Sequence, residues 1–185
     1  MVKSLIICEG STDKEFLEQM LKHLEISNQY IDISFLGRDS KNKSSIFKEE
    51  KWDTIKNEIG TIYKDLLIIF DSDYKKNDNK YGGFENSEKE IKLLIKKLGF
   101  NNLADYHIVC EPNKQDGYLE SLILSTIPHK EKECIKSFID CSRFKDKEKD
   151  KAILNKIYKL GYPDTPYDFS HKNFDELKSK INNLA

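Results

Sequence analysis

The run Leu66–Phe70 (LLIIF) is continuously apolar and stops abruptly at Asp71–Asp73 (DSD). A short apolar run without alternation predicts a strand that is buried on both faces of a sheet. Ser4–Cys8 (SLIIC) has nearly the same character and is also followed by an acid, Glu9. Strands of this kind occur in folds where helices cover both sides of a largely parallel sheet.

Elsewhere in the chain, apolar residues recur at helical spacing, and two more segments have strand character. Thr12 with Glu15 and Ser87 with Glu90 have the spacing of capping boxes and predict the starts of two helices. The further predicted strands are Tyr30–Leu36 and Asp105–Cys110, and the further predicted helices are Trp52–Tyr63, Tyr118–Ser125, Lys130–Ile139, Lys149–Leu160 and Phe174–Leu184.

The alternation of strands and helices predicts the architecture. Strand–helix–strand connections join parallel strands and place helices on the faces of the sheet. We therefore expect an α/β fold with a mostly parallel, Rossmann-like sheet, helices on both faces and a helical C-terminal cover. The 185 residues fit one domain. Residues 1–126 are expected to form the sheet core with the acidic site, and residues 127–185 the cover.

The composition indicates which kinds of partner and which cellular compartment to expect. Lys and Arg (31) nearly cancel Asp and Glu (32), so the overall charge does not indicate a polyanionic partner. The cysteines form no CxxC pair, and Cys8 and Cys110 lie in apolar runs, which is typical of buried, reduced thiols. The sequence has no secretory signal pattern and no apolar run of transmembrane length. We expect a cytoplasmic protein without a membrane partner, and the sequence does not indicate its oligomeric state.

Acidic residues follow the two strongest strands. Ligands of open α/β sheets bind at the carboxyl ends of the strands, where Glu9, Asp71 and Asp73 are expected, with Asp13 one helical turn beyond Glu9. The i, i+2 spacing of Asp71 and Asp73 directs both side chains the same way if the strand continues. Crowded carboxylates require a cation, and hard oxygen ligands favour Mg²⁺ or Mn²⁺. The alternative for a single strand-end aspartate is a helix cap or a loop residue.

Two segments carry a family resemblance. LIICEGSTDKEFLEQML (Leu5–Leu21) followed by LLIIFDSD (Leu66–Asp73) resembles the Toprim domain, the metal-binding module of topoisomerases, bacterial primases and several nucleases. The family pattern is an apolar strand ending in Glu-Gly, a helix, and a later apolar strand ending in Asp-x-Asp. The resemblance implies that Glu9 is the Toprim glutamate and that Asp71 and Asp73 are its Asp-x-Asp pair, all three catalytic and metal-binding.

The spacing of Glu9 and Asp13 is similar to that of the OLD-family nucleases and their small stand-alone relatives. In that branch a second acidic site follows a later strand, and Asp116–Glu120 (DGYLE) looks like this element. The resemblance implies Asp13, Asp116 and Glu120 as further metal ligands. The alternative for Glu120 is a first-turn glutamate that complements a helix dipole. OLD nucleases usually carry an ATPase, whose Gly-x-x-x-x-Gly-Lys-Ser/Thr loop this sequence lacks, so the chain acts alone or with a separate partner such as an ATPase.

The resemblance implies a Mg²⁺- or Mn²⁺-dependent nuclease that hydrolyses phosphodiester bonds of DNA or RNA, in repair, processing or phage defence. The alternative function is a non-catalytic Toprim module that binds nucleic acid or a partner protein.

His107 is expected in the core, and His171 has no assigned role. Lys172 either stabilises a transition state or is solvated. Five lysines lie on loops near the acidic cluster: Lys41, Lys43, Lys75, Lys76 and Lys80. They either contact a phosphate backbone or are solvated.

Overall fold

The computed structural model describes residues 2–37, 43–142, 160–161 and 167–185. Within these ranges the chain forms a four-stranded sheet in the order β2-β1-β3-β4, and every neighbouring pair is parallel. This confirms the predicted α/β architecture with a parallel, Rossmann-like sheet. Each predicted strand is present, with shifts of a few residues at its ends. The strands are β1 (Lys3–Cys8), β2 (Ile31–Phe35), β3 (Tyr63–Asp71) and β4 (Ala104–Val109).

Helices connect the strands and follow the last one. None of the helices in the described ranges is long and apolar enough to cross a membrane. The helix predicted over Lys149–Leu160 lies almost entirely outside the described residues. The helices are α1 (Ser11–His23), α2 (Asp53–Glu58), α3 (Phe84–Leu98), α4 (Leu119–Leu124), α5 (His129–Cys141) and α6 (Asp175–Asn182), with 3-10 turns at Lys43–Phe47, Glu49–Trp52 and Lys172–Phe174.

Three predicted helix boundaries are wrong. The helix expected to reach Tyr63 ends at Glu58, because Gly60 takes a left-handed conformation (φ 82°) and turns the chain into β3. Helix α1 begins after Gly10 rather than Thr12, since the Asp13 carboxylate accepts a hydrogen bond from the Gly10 amide (2.9 Å). Helix α3 likewise begins after a glycine, and residue Ser87 lies inside it.

Each face of the sheet buries its own apolar core. Ile6 and Cys8 of β1 point to the face covered by α1, α4 and α6, whereas Leu5 and Ile7 point to the face covered by α2 and α3. This burial on both sides explains why the sequences of β1 and β3 contain continuous apolar runs. Helix α5 has no fully buried side chain. Among the described residues of the predicted C-terminal cover, α6 and the residues just before it supply the side chains buried in this core.

Helix α6 should carry a large share of the stability of its core. Ile181 is fully buried in that core, and we expect Ile181→Ala to lower the free energy of unfolding by about 2–5 kcal/mol in urea titrations. Ile62 is 52% exposed and provides a control of the same residue type, for which about 0.5 kcal/mol or less is expected. Equal effects of the two changes would contradict the packing described for α6.

Candidate functional site

The carboxyl ends of β1 and β3 bring Glu9 and Asp71 together. The two strands are neighbours in the sheet, with Ile7 paired to Ile68, so the residues that follow them emerge side by side. Glu9 Oε1 accepts a hydrogen bond from the backbone amide of Asp71 (3.0 Å). Both side chains are largely buried, at 4% and 5% exposure for the whole residues. The two acids that follow the strongest strands thus lie at one edge of the sheet.

Asp13 joins Glu9 and Asp71 in lining a single pocket of about 420 Å³. One oxygen of each carboxylate accepts a backbone N–H: Asp13 from Gly10, Glu9 from Asp71, and Asp71 from Leu119 at the start of α4 (2.9 Å). These bonds orient the three carboxylates. The role of Leu119 has no counterpart in the sequence pattern, since any residue can supply a backbone amide.

The thiol of Cys8, the residue before Glu9, is buried next to this pocket. Burial raises its pKa well above the ordinary value for cysteine, and the negative charges of Asp13 and Glu9 raise the pKa further. The thiol donates a hydrogen bond to the carbonyl of Ser34 (Sγ–O 3.4 Å). Cys8 is therefore a buried thiol that stays protonated, in agreement with the prediction from the sequence.

Asp73 departs from the expected arrangement. Strand β3 ends at Asp71, and Asp73 takes a left-handed conformation (φ 55°), so the alternation that would align the two side chains does not continue. The turn is fixed by the Gly117 amide, which donates to the Asp73 carbonyl (3.1 Å). The Asp73 carboxylate lies 3.8 Å from the ammonium of Lys43. Among the described residues, those lining the Glu9 pocket do not include Asp73.

Lys43 is buried beneath this turn. Its side chain is only 2% exposed, and its ammonium donates hydrogen bonds to the Asp71 carbonyl and to Ser87 Oγ (2.9 Å). Both interpretations from sequence, phosphate contact and solvation, are therefore wrong for Lys43. Its partners lie 28 and 44 residues along the chain, so no local pattern could have distinguished it. Of the other lysines considered with it, Lys75, Lys76 and Lys80 are exposed, and Lys41 lies outside the described residues.

Asp116 and Glu120 do not join the pocket that Glu9 lines. Asp116 lines a second pocket of about 190 Å³ with Lys75, Lys114 and the start of α3. Glu120 lies in the first turn of α4 with 2% exposure. No three His, Cys, Asp or Glu side chains of the described residues are arranged as a group that could hold a metal ion. The structure thus places the predicted acids in four environments: the Glu9 pocket, the Asp116 pocket, the buried first turn of α4, and the contact of Asp73 with Lys43.

The histidines lie in structural positions. His107 is buried in β4, as expected, with Nδ1 3.4 Å from the carboxylate of Glu176, and this contact lowers the pKa of Glu176. His171 Nδ1 accepts a hydrogen bond from the Asn173 amide (3.2 Å) and so caps the short helical turn before α6. Lys172 is exposed, in agreement with the solvated interpretation of its side chain.

The buried ammonium of Lys43 should stabilise the fold. Lys43→Met leaves the Asp71 carbonyl and the Asp73 carboxylate without their cation, and we expect a loss of about 2–4 kcal/mol in urea unfolding. Lys48→Met, in the same segment but at an exposed position, should change stability by about 0.5 kcal/mol or less. A loss no larger for Lys43→Met than for Lys48→Met would contradict the role described for this ammonium.

Comparisons with known proteins give one match. The family model described as "Protein of unknown function (DUF3226)" matches residues 3–160, a range that includes all four strands and the Glu9 pocket. No curated protein and no solved structure matches the chain.

Proposed function

The chain belongs to the DUF3226 family, and we propose that it is a metal-dependent nuclease whose ion is held by Glu9, Asp13 and Asp71. One observation carries this proposal: these three carboxylates, from two neighbouring strand ends and the first turn of α1, line one pocket. The resemblance of the same segments to Toprim domains supports it. The site lies at the carboxyl edge of a parallel sheet, where α/β enzymes bind their ligands.

The donor set fits Mg²⁺ or Mn²⁺ in its chemistry. Carboxylate oxygens are the ligands these ions prefer. The carboxylates do not converge tightly enough to form a preformed metal group among the described residues. Binding therefore requires Glu9, Asp13 or Asp71 to turn further into the pocket. When bound, such an ion supplies Lewis acidity toward a phosphodiester and a more acidic water.

The protein's own groups hold and aim these ligands. The amides of Gly10, Asp71 and Leu119 each orient one carboxylate, so the ligands are supported by backbone from β1, β3 and α4. Lys43 fixes the Asp71 carbonyl from the opposite face of the sheet. We therefore assign Asp73 to a structural ion pair, and this proposed site is smaller than the set of acids implied by the resemblance.

Metal binding should be visible as thermal stabilisation. Mg²⁺ or Mn²⁺ at about 100 times its dissociation constant stabilises the folded state by about 2.7 kcal/mol, which raises Tm by about 5–10 °C for a chain of this size. Asp71→Asn should remove that increase and raise the Tm of the metal-free protein, because it relieves repulsion with Glu9. Asp65→Asn, at the exposed amino end of the same strand, should leave the increase intact. A wild-type Tm that does not respond to either ion would contradict the proposed site.

One set of variants tests both the nuclease activity and the number of carboxylates that bind the metal. Purified protein should cleave DNA or RNA oligonucleotides with Mg²⁺ or Mn²⁺ but not with EDTA, and Glu9→Gln or Asp71→Asn should reduce the rate by about 100-fold or more. Asp73→Asn should lower stability while the metal-induced rise in Tm persists. If Asp73→Asn abolishes that rise in a folded protein, Asp73 is a ligand and the smaller site is wrong. Glu120→Gln applies the same test to the acid in α4.

A second candidate function is favoured by the buried Lys43. Its ammonium already supplies a cation at the turn that bears Asp73, as expected of a Toprim-like module that binds nucleic acid or a partner protein without catalysis. Wild-type protein that binds oligonucleotides with the same affinity in Mg²⁺ and in EDTA, and cleaves neither DNA nor RNA, would support this candidate over the nuclease.

A further inference from the structure

An exposed aromatic ring stands at the rim of the acidic pocket. Phe35 is the last residue of β2, is 45% exposed, and lines the same pocket as Glu9 and Asp71. In the sheet it pairs with Cys8, the residue before Glu9. Among the residues that line this pocket in the described part of the chain, Phe35 alone is aromatic. A large apolar side chain at this position presents a flat face beside the carboxylates.

Backbone hydrogen bonds fix the position of the Phe35 main chain relative to Glu9. The amide of Leu36 donates to the Cys8 carbonyl (3.1 Å), and the amide of Gly37 donates to the Glu9 carbonyl (3.0 Å). Lys51 Nζ in turn donates to the Gly37 carbonyl (2.8 Å). The ring itself has only two side-chain torsions to lose on binding. Phe35 is therefore preorganised for contact with a ligand that also reaches the carboxylates.

The chemistry of the pocket specifies the ligand. A cation on the carboxylates attracts a phosphate, and the neighbouring phenyl face accepts a flat π-system, since every nucleobase stacks on aromatic side chains. The volume of about 420 Å³ lies within the range of about 300–1,000 Å³ that is typical of small-ligand pockets. We infer that Phe35 is a stacking platform for one nucleobase next to the bound phosphate, an inference that rests on the proposed function. Because bases within a duplex are already stacked, the platform selects unpaired nucleotides.

Oligonucleotide binding tests this role in the full-length chain. Fluorescence anisotropy with Mg²⁺ compares a labelled ten-nucleotide single strand with an abasic strand of the same length. Phe35→Ala should weaken binding of the intact strand by about 5- to 150-fold and leave the abasic strand unaffected. Phe35→Trp should restore the affinity. The matched control is Tyr30→Ala, because Tyr30 is also 45% exposed but precedes the amino end of β2.

Intrinsic fluorescence gives a direct readout of stacking. The only tryptophan of the wild type, Trp52, is fully buried on the other face of the sheet, so oligonucleotides should not change its emission. The second tryptophan of the Phe35→Trp variant should be quenched by the intact strand and not by the abasic strand. Urea titrations establish that each variant is folded as stably as the wild type.

The outcomes separate this inference from the proposed function. Wild type that binds no oligonucleotide, or Phe35→Ala that binds the intact strand as tightly as wild type, overturns the stacking role. An equal loss for intact and abasic strands overturns it too, since the ring would then act through the backbone. If cleavage depends on Asp71 but not on Phe35, the nuclease proposal is supported and the stacking role of Phe35 is refuted. A stacking effect without cleavage supports the platform and refutes the nuclease.

Discussion

The turn after β3 depends on the buried ammonium of Lys43. Moving a charged amine out of water costs several kcal/mol unless acceptors surround it, and here the Asp71 carbonyl, Ser87 Oγ and the Asp73 carboxylate do so. The interaction ties the segment after β2, the end of β3 and the first turns of α3 into one unit. It also gives neighbouring acids different roles: the Asp73 carboxylate lies beside the Lys43 ammonium, whereas Asp71 lines the pocket with Glu9.

Sequence patterns predicted what depends on periodicity and missed what depends on distant contacts. Strands β1 and β3 were predictable because burial on both faces makes them continuously apolar, whereas β2 was predictable from its alternating, β-rich sequence. Glu9 and Asp71 were predictable because they lie at the ends of the two apolar runs. The alignment of Asp73 with Asp71 was not predictable, since it required knowing where β3 ends. The burial of Lys43 depends on residues far along the chain. The Toprim and metal interpretations remain proposals.

The order of strands in the sheet combines two kinds of chemistry in one pocket. Strands β1 and β3 are central and deliver charged groups, whereas β2 is an edge strand and delivers an aromatic ring. Because these groups come from different strands, Phe35 can change without disturbing the bonds that orient Glu9 and Asp71. If the pocket binds the ligand proposed above, substitution of this edge residue changes the aromatic contact and leaves the carboxylates in place.

The contact between the two ends of the described chain affects how the protein is made. Ser4 Oγ donates a hydrogen bond to the Leu184 carbonyl (2.8 Å), 180 residues away, and Phe174 and Ile181 complete the core over β1. At translation rates of about 5–20 residues per second, synthesis of the 180 residues between Ser4 and Leu184 takes about 9–36 s. During that time one apolar face of the nascent sheet is incompletely covered, and such transiently exposed apolar surface is prone to aggregation until α6 has been synthesised.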